Sequence, residues 1–246
     1  MHSLLKSAAR QRQRWDDHQI LPHVNWGDLF FDLFYVAAAY NLAVILKESP
    51  SWDGFLYFVC CYVPLLSQWN EKVIYDARFA PEDNLFHRAM EVLSLLILGT
   101  AIQHIRPVEL MQNTSANSTT FVFSLCLVLL TVLNIHRHQD VHQNVVGGEE
   151  AKHQVATDIS RLLCCLIPYM ASMGLAGYDY FLVGGRMRYD TLTHPEIATN
   201  HIPILLCLVG YICQQVFGIW DVFVVLPRSG RNFKEIRVPM NIEFTL

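Results

Sequence analysis

Two carboxylates open the chemistry of this sequence. Asp28 and Asp32 stand four residues apart, so on a helix they share one face, which Tyr35 and Ala39 continue. Arg78, Asp83, His87, Arg88 and Glu91 follow, with Asp158, Arg161 and Asp221 later in the chain. Gathered at one mouth of a helical bundle, such groups could gate a path or hold an ion or proton. Ionisable side chains near hydrocarbon are costly and face partners or water. The same set could form a structural ion-pair network that fixes the first three helices together. The sequence favours that role, because none of these groups falls at the middle of an apolar run. The deeper polar residues are Asn41, Thr100 and Gln214 or Gln215. A lone amide at that depth reads as interhelical glue.

Histidines 136, 138 and 142 form an H-x-H-x3-H pattern. His136, His138 and His142 are weak candidates for a transition metal or a pH sensor. No cysteine stands near them and they fall in a hydrophilic stretch read as a loop, so no metal is expected. The seven cysteines lie inside apolar runs without CxxC spacing, which reads as small apolar filler. The sequence holds no P-loop, G-x-S-x-G, H-E-x-x-H, haem or flavin motif. Gly147-Gly148 belongs to a flexible loop. Neither enzymatic activity nor a cofactor is expected.

The elements that must position these residues follow from composition. Of 246 residues, 52% are hydrophobic and only 16% charged, well below the roughly 25% charged of a soluble domain. A net charge of −4 gives no basic footprint for nucleic acid. Six apolar stretches approach the roughly 20 residues a spanning helix needs. They are Leu29–Leu46, Phe55–Trp69, Ala89–Ile105, Phe121–Ile135, Leu162–Val183 and Ile202–Leu226. Alternation with a period of two is absent, which argues against a β-barrel. The expected fold is all-α, a polytopic transmembrane helical bundle with about six spans. Its parts are a basic segment 1–28, a transmembrane domain 29–226 and a polar segment 227–246. No signal-peptide pattern precedes Leu29, so the first apolar run reads as an uncleaved signal-anchor.

Threading follows from Lys and Arg. With a cytoplasmic N-terminus and six spans, only Lys47, Arg106, Arg186 and Arg188 lie outside, and the other 14 of 18 basic residues lie inside. That bias places both termini in the cytoplasm. Asn113 and Asn117 each begin an N-x-[ST] sequon in the third-to-fourth loop, which the same threading places on the lumenal side. They are the candidate glycosylation sites.

Two segments carry a resemblance: WGDLFFDLFYV at 26–36 and RFAPEDNLFHR at 78–88. They resemble the signature segments of the low-temperature-requirement protein A (LtrA) family. Asp28 stands where that family usually has Glu, whereas Asp32, Arg78, Phe79, Asp83, His87 and Arg88 match. The resemblance implies a multi-pass membrane protein linked to growth in the cold, with no catalytic residues to carry over. The segment at 238–243 is similar to one that leads, in the family, into a helix-rich second half, so a C-terminally truncated form is expected. Such a form would leave Gly210 and Gly218 facing lipid, and self-association through the sixth helix is expected.

Two functions follow from this reading. One is a non-transporting membrane protein of unassigned activity that supports low-temperature or stress adaptation through partners or lipid. The other is a transporter or channel for an ion or small solute with a charged cytoplasmic mouth. Water-accessible Asn41, Thr100 and Gln214 would favour transport, and a dry, Leu-packed centre the first. The lipid bilayer is the one expected partner besides a second copy, and no ligand is assigned.

Overall fold

The computed structural model describes residues 10–11, 26–48, 50–80, 85–105, 116–144, 149–178, 180–181 and 202–221. Among them are six helices: α1 (Trp26–Glu48), α2 (Trp52–Arg78), α3 (Leu85–Gln103), α4 (Ala116–Asn144), α5 (Glu149–Tyr178) and α6 (Ile202–Trp220). The fold is an all-α bundle. A two-residue antiparallel pair, β1 (Arg10–Gln11) with β2 (Phe79–Ala80), ties the N-terminal segment to the chain leaving α2. That contact sets both at one end of the bundle, as an even number of crossings requires.

Each expected span falls on one helix. Four stretches are long and apolar enough to cross a membrane: Leu29–Glu48, Thr119–Gln143, Val155–Tyr178 and Ile202–Trp220. At 27 and 19 residues, α2 and α3 match them in length. Three helices run far beyond the stretches that sequence reading gave. At 1.5 Å per residue, α2, α4 and α5 run roughly 40–45 Å, well past a hydrocarbon core of about 30 Å. The excess lies at one end, the C-terminus of α2 and α4 and the N-terminus of α5. Segments 70–78, 136–144 and 149–161 had been read as loops and are helix. Tyr75, Val141 and Val155 form a small core of their own there, with Ile159 packed against it. Burial of these apolar side chains explains why polar sequence winds into helix at this end. The described part of the fifth helix runs to Tyr178, and Val183 lies outside the described residues.

The helices close a ring in the order α1, α2, α6, α5, α4, α3, and α2 also touches α4 across the middle. Its outer wall is apolar. On α1, Leu29, Leu33, Val36 and Tyr40 are 45–72% exposed. On α6, Val209, Ile212, Val216 and Ile219 face out likewise, as do Leu163, Ile167 and Met170 on α5. Apolar stripes turned outward on this scale suit lipid rather than water as the surrounding solvent.

Close helix contacts do not follow residue size alone. Ala39, Ala43 and Ala171 are exposed, and α1 instead buries Phe31, Ala38, Leu42 and Ile45. Gly174 has open space around it, whereas a Cβ at Gly177 would touch the Phe121 ring at 3.1 Å. Gly210 does not face lipid, because α5 covers it. A Cβ there would stand 2.5 Å from the Tyr169 ring. The segment 238–243 lies outside the described residues.

Candidate functional site

The interior faces of four helices repeat with a three–four spacing, the seam of left-handed helix packing. On α2 the buried seam is Tyr57, Cys61, Pro64, Gln68, Glu71 and Tyr75; on α4 it is Thr120, Ser124, Leu127, Thr131, Asn134 and His138. On α5 it is Asp158, Leu162, Cys165, Tyr169, Ser172 and Ala176; on α6 it is Pro203, Cys207, Gly210 and Gln214. Among the apolar Tyr57, Leu127, Leu162 and Tyr169, these seams carry hydroxyls, thiols, amides and charges. They form a polar column along the bundle.

Its charged part joins α2, α5 and α6. The buried Glu71 carboxylate accepts from Arg161 Nη2 at 2.8 Å through one oxygen and from Gln214 Nε2 at 2.8 Å through the other. Gln214 in turn accepts the Ser67 hydroxyl at 2.8 Å. Arg161 also stands 3.4 Å from Asp158 Oδ1, so one guanidinium serves two carboxylates. Beside this set Gln68 accepts from Asn134 Nδ2 at 3.0 Å and donates to Thr131 at 3.2 Å. At the opposite end the Ser124 and Ser172 hydroxyls lie 2.7 Å apart, and Ser172 donates to the Pro203 carbonyl at 2.5 Å. The thiol of Cys207 approaches both serines, at 3.5 and 3.3 Å.

A buried ion pair is weak support for stability. Well-packed apolar residues in its place are often neutral or stabilising by about 1–4 kcal/mol. Glu71 and Arg161 stand where the polar extensions of α2 and α5 meet the apolar spans, at one end of the column.

The expected charged cluster is divided among several contacts rather than gathered into one. Asp32 is exposed and accepts the Trp69 indole N–H at 2.9 Å. Phe31 and Tyr35 flank this contact, with Tyr35 edge-on to Trp69. Lys72 pairs with Asp76 and sits 4.9 Å over the Phe31 ring. The first signature segment thus docks α1 on α2. The second docks α3 on α4, since His87 Nε2 stands 3.9 Å from Asp140. Arg137 reinforces it, donating to Ser94 at 2.9 Å and to the Met90 carbonyl at 3.4 Å. Arg88 stands 3.9 Å from Glu91. Asp83 and Asn113 lie outside the described residues. Asp28, Arg78 and Asn117 stand on helices, and their side chains lie outside the described set.

The three histidines stand on α4 instead of a loop, and they diverge. His138 is buried edge-on to Tyr75 and bonds the Asn134 carbonyl at 2.9 Å, while His136 is exposed against Phe86. His142 is half-buried. Among the described residues no three His, Cys, Asp or Glu side chains gather as a metal site. Of the deep polar residues, Asn41 donates to the Ile102 carbonyl at 3.3 Å and exposed Thr100 to the Leu96 carbonyl at 2.8 Å. Neither joins the column, whereas Gln214 is part of its centre.

Sequence reading missed Glu71, Gln68, Ser67, Thr131 and Asn134. It set Glu71 in a loop and examined polar residues singly. The signal was present in their spacing, since 120, 124, 131, 134 and 138 fall on one helical stripe.

An apolar-walled helical bundle with a polar, charge-bearing interior is an integral membrane protein. The chain belongs to the LtrA family: the family model described as bacterial low temperature requirement A protein (LtrA) matches residues 23–178. No curated protein and no solved structure matches the chain.

Proposed function

We propose that this LtrA-family membrane protein conducts a proton or small cation along the column enclosed by α2, α4, α5 and α6. Glu71 is the binding group and Arg161 its counter-charge. The observation that carries this reading is the buried Glu71 held between Arg161 and Gln214. An incoming cation replaces the guanidinium on Glu71, while Asp158 takes up Arg161. Support of growth at low temperature would then act through ion balance across the membrane. The reading assigns no covalent chemistry. It keeps both termini and the polar helical extensions cytoplasmic, on the strength of the Lys and Arg distribution, and Asn113 and Asn117 on the other side.

A closed centre favours a second reading, a non-transporting protein that acts through partners or lipid. Gln214 is fully enclosed, and Asn41 and Thr100 stand apart from it. Proteoliposomes loaded with a pH-sensitive dye separate the two. The conducting reading expects the wild-type chain to dissipate an imposed proton or cation gradient, and Glu71→Gln to do so about tenfold more slowly or worse. Wild type, Glu71→Gln and protein-free vesicles with equal rates would overturn it in favour of the second.

A further inference from the structure

We infer that Tyr169 is the gate of this column, a ring seated against Gly210 that separates an outer polar compartment from the inner charged one; the inference rests on the conducting reading above. Tyr169 is fully buried and is among the largest side chains in the interior. Outward of it on the α5 seam is Ser172, bonded to Ser124 and Pro203. Inward are Cys165 and the Asp158–Arg161 turn that reaches Glu71. Among the described residues its hydroxyl has no hydrogen bond of normal geometry, and the Gln68 side chain is its polar neighbour.

The ring occupies the place where a side chain of α6 would otherwise stand. A Cβ at Gly210 would lie 2.5, 2.8 and 3.1 Å from three of its carbons. Glycine at 210 therefore lets the ring press against the α6 backbone and close the column there. Proline supplies mobility beside it. Pro168 lies inside α5 and cannot donate to the Cys164 carbonyl, so the helix lacks one bond immediately before the gate. Transmembrane helices bend at such positions.

The test uses the full chain in proteoliposomes with a pH-sensitive dye, comparing Tyr169→Phe, Tyr169→Leu and Tyr169→Ala. Tyr169→Phe keeps the ring and conducts as the wild type does. Losing the ring in Tyr169→Leu and Tyr169→Ala raises proton flux about tenfold or more. Adding Glu71→Gln to either lowers it again, because the freed path still runs past Glu71. Should Tyr169→Ala fail to fold by size-exclusion chromatography, Tyr169→Leu, which retains more of the volume, decides the same comparison. A conducting wild type with ring-deleted variants at its rate would remove the gate and leave the conducting reading standing. Absence of flux from wild type and ring-deleted variants alike would overturn both. A raised flux indifferent to Glu71→Gln would mark a leak outside the column and overturn the gate.

Discussion

At the scale of single residues, Glu71 and Asp32 illustrate how little charge alone says about role. Glu71 is enclosed and both oxygens are bonded. Glu71→Ala leaves the part-buried Arg161 guanidinium with Asp158 as its remaining carboxylate and the buried Gln214 amide without this acceptor, and a loss of about 1–3 kcal/mol is expected. Thermal unfolding in detergent measures it. Exchanging the charges, Glu71→Arg with Arg161→Glu, should recover part of that loss if the contact is direct. Asp32 is the opposite case. Its exposed carboxylate accepts one indole N–H, a bond an amide oxygen also accepts. Asp32→Asn should therefore cost about 1 kcal/mol or less in the same assay. A loss as large as that of Glu71→Ala would show that Asp32 bears more than the Trp69 contact.

At the scale of elements, the bundle's glycines separate by what stands opposite them. Gly210→Ala drives a methyl into the Tyr169 ring, and overpacking of this kind typically costs about 1–3 kcal/mol. Gly174→Ala meets nothing within 4 Å. It should be neutral or stabilising by up to about 1 kcal/mol, the difference in helix propensity. Melting temperatures of the two variants check the pair, and an equal loss at both positions would contradict the packing. The apolar centres of all six helices were legible in the sequence because hydrocarbon demands long runs of Leu, Val, Ile and Phe. The ends of α2, α4 and α5 were not. Residues 70–78 and 136–144 are polar enough to read as loops, and they are helical because Tyr75, Val141 and Val155 bury one another across three helices. Period and length reveal a run's solvent but not a partner supplied from elsewhere in the chain.

At the scale of the whole molecule, apolar side chains serve two surfaces: Leu42, Ile45, Leu65, Leu98 and Leu127 pack the core, while others form the outer wall. Ser67, Gln68, Glu71, Thr131, Asn134, Arg161 and Gln214 meet inside. The β1–β2 contact holds Arg10–Gln11 beside Phe79–Ala80, so this strand and the end of α2 share one end of the bundle. Glycosylation mapping decides the orientation. Asn113 or Asn117 should be modified when the chain is made in a glycosylating membrane, and a sequon inserted near Gly147 should remain bare. Modification at the inserted site alone would invert the threading.

Composition by itself determined that this chain lives in a membrane, because too few charged residues exist to cover a water-facing surface. The motifs WGDLFFDLFYV and RFAPEDNLFHR determined its family, since matched residue types at fixed spacing carry over without knowledge of their contacts. Tertiary structure alone decided what those motifs do. Asp32 meets Trp69, and His87 stands near Asp140, partners 37 and 53 positions away in the chain. It also decided that Glu71, Arg161 and Gln214 form one site. Each helix contributes only a few polar residues to its inward face, and a stripe on one helix does not reveal which stripe it will meet. That meeting is fixed by the ring order of six helices, which the packing of the folded chain sets.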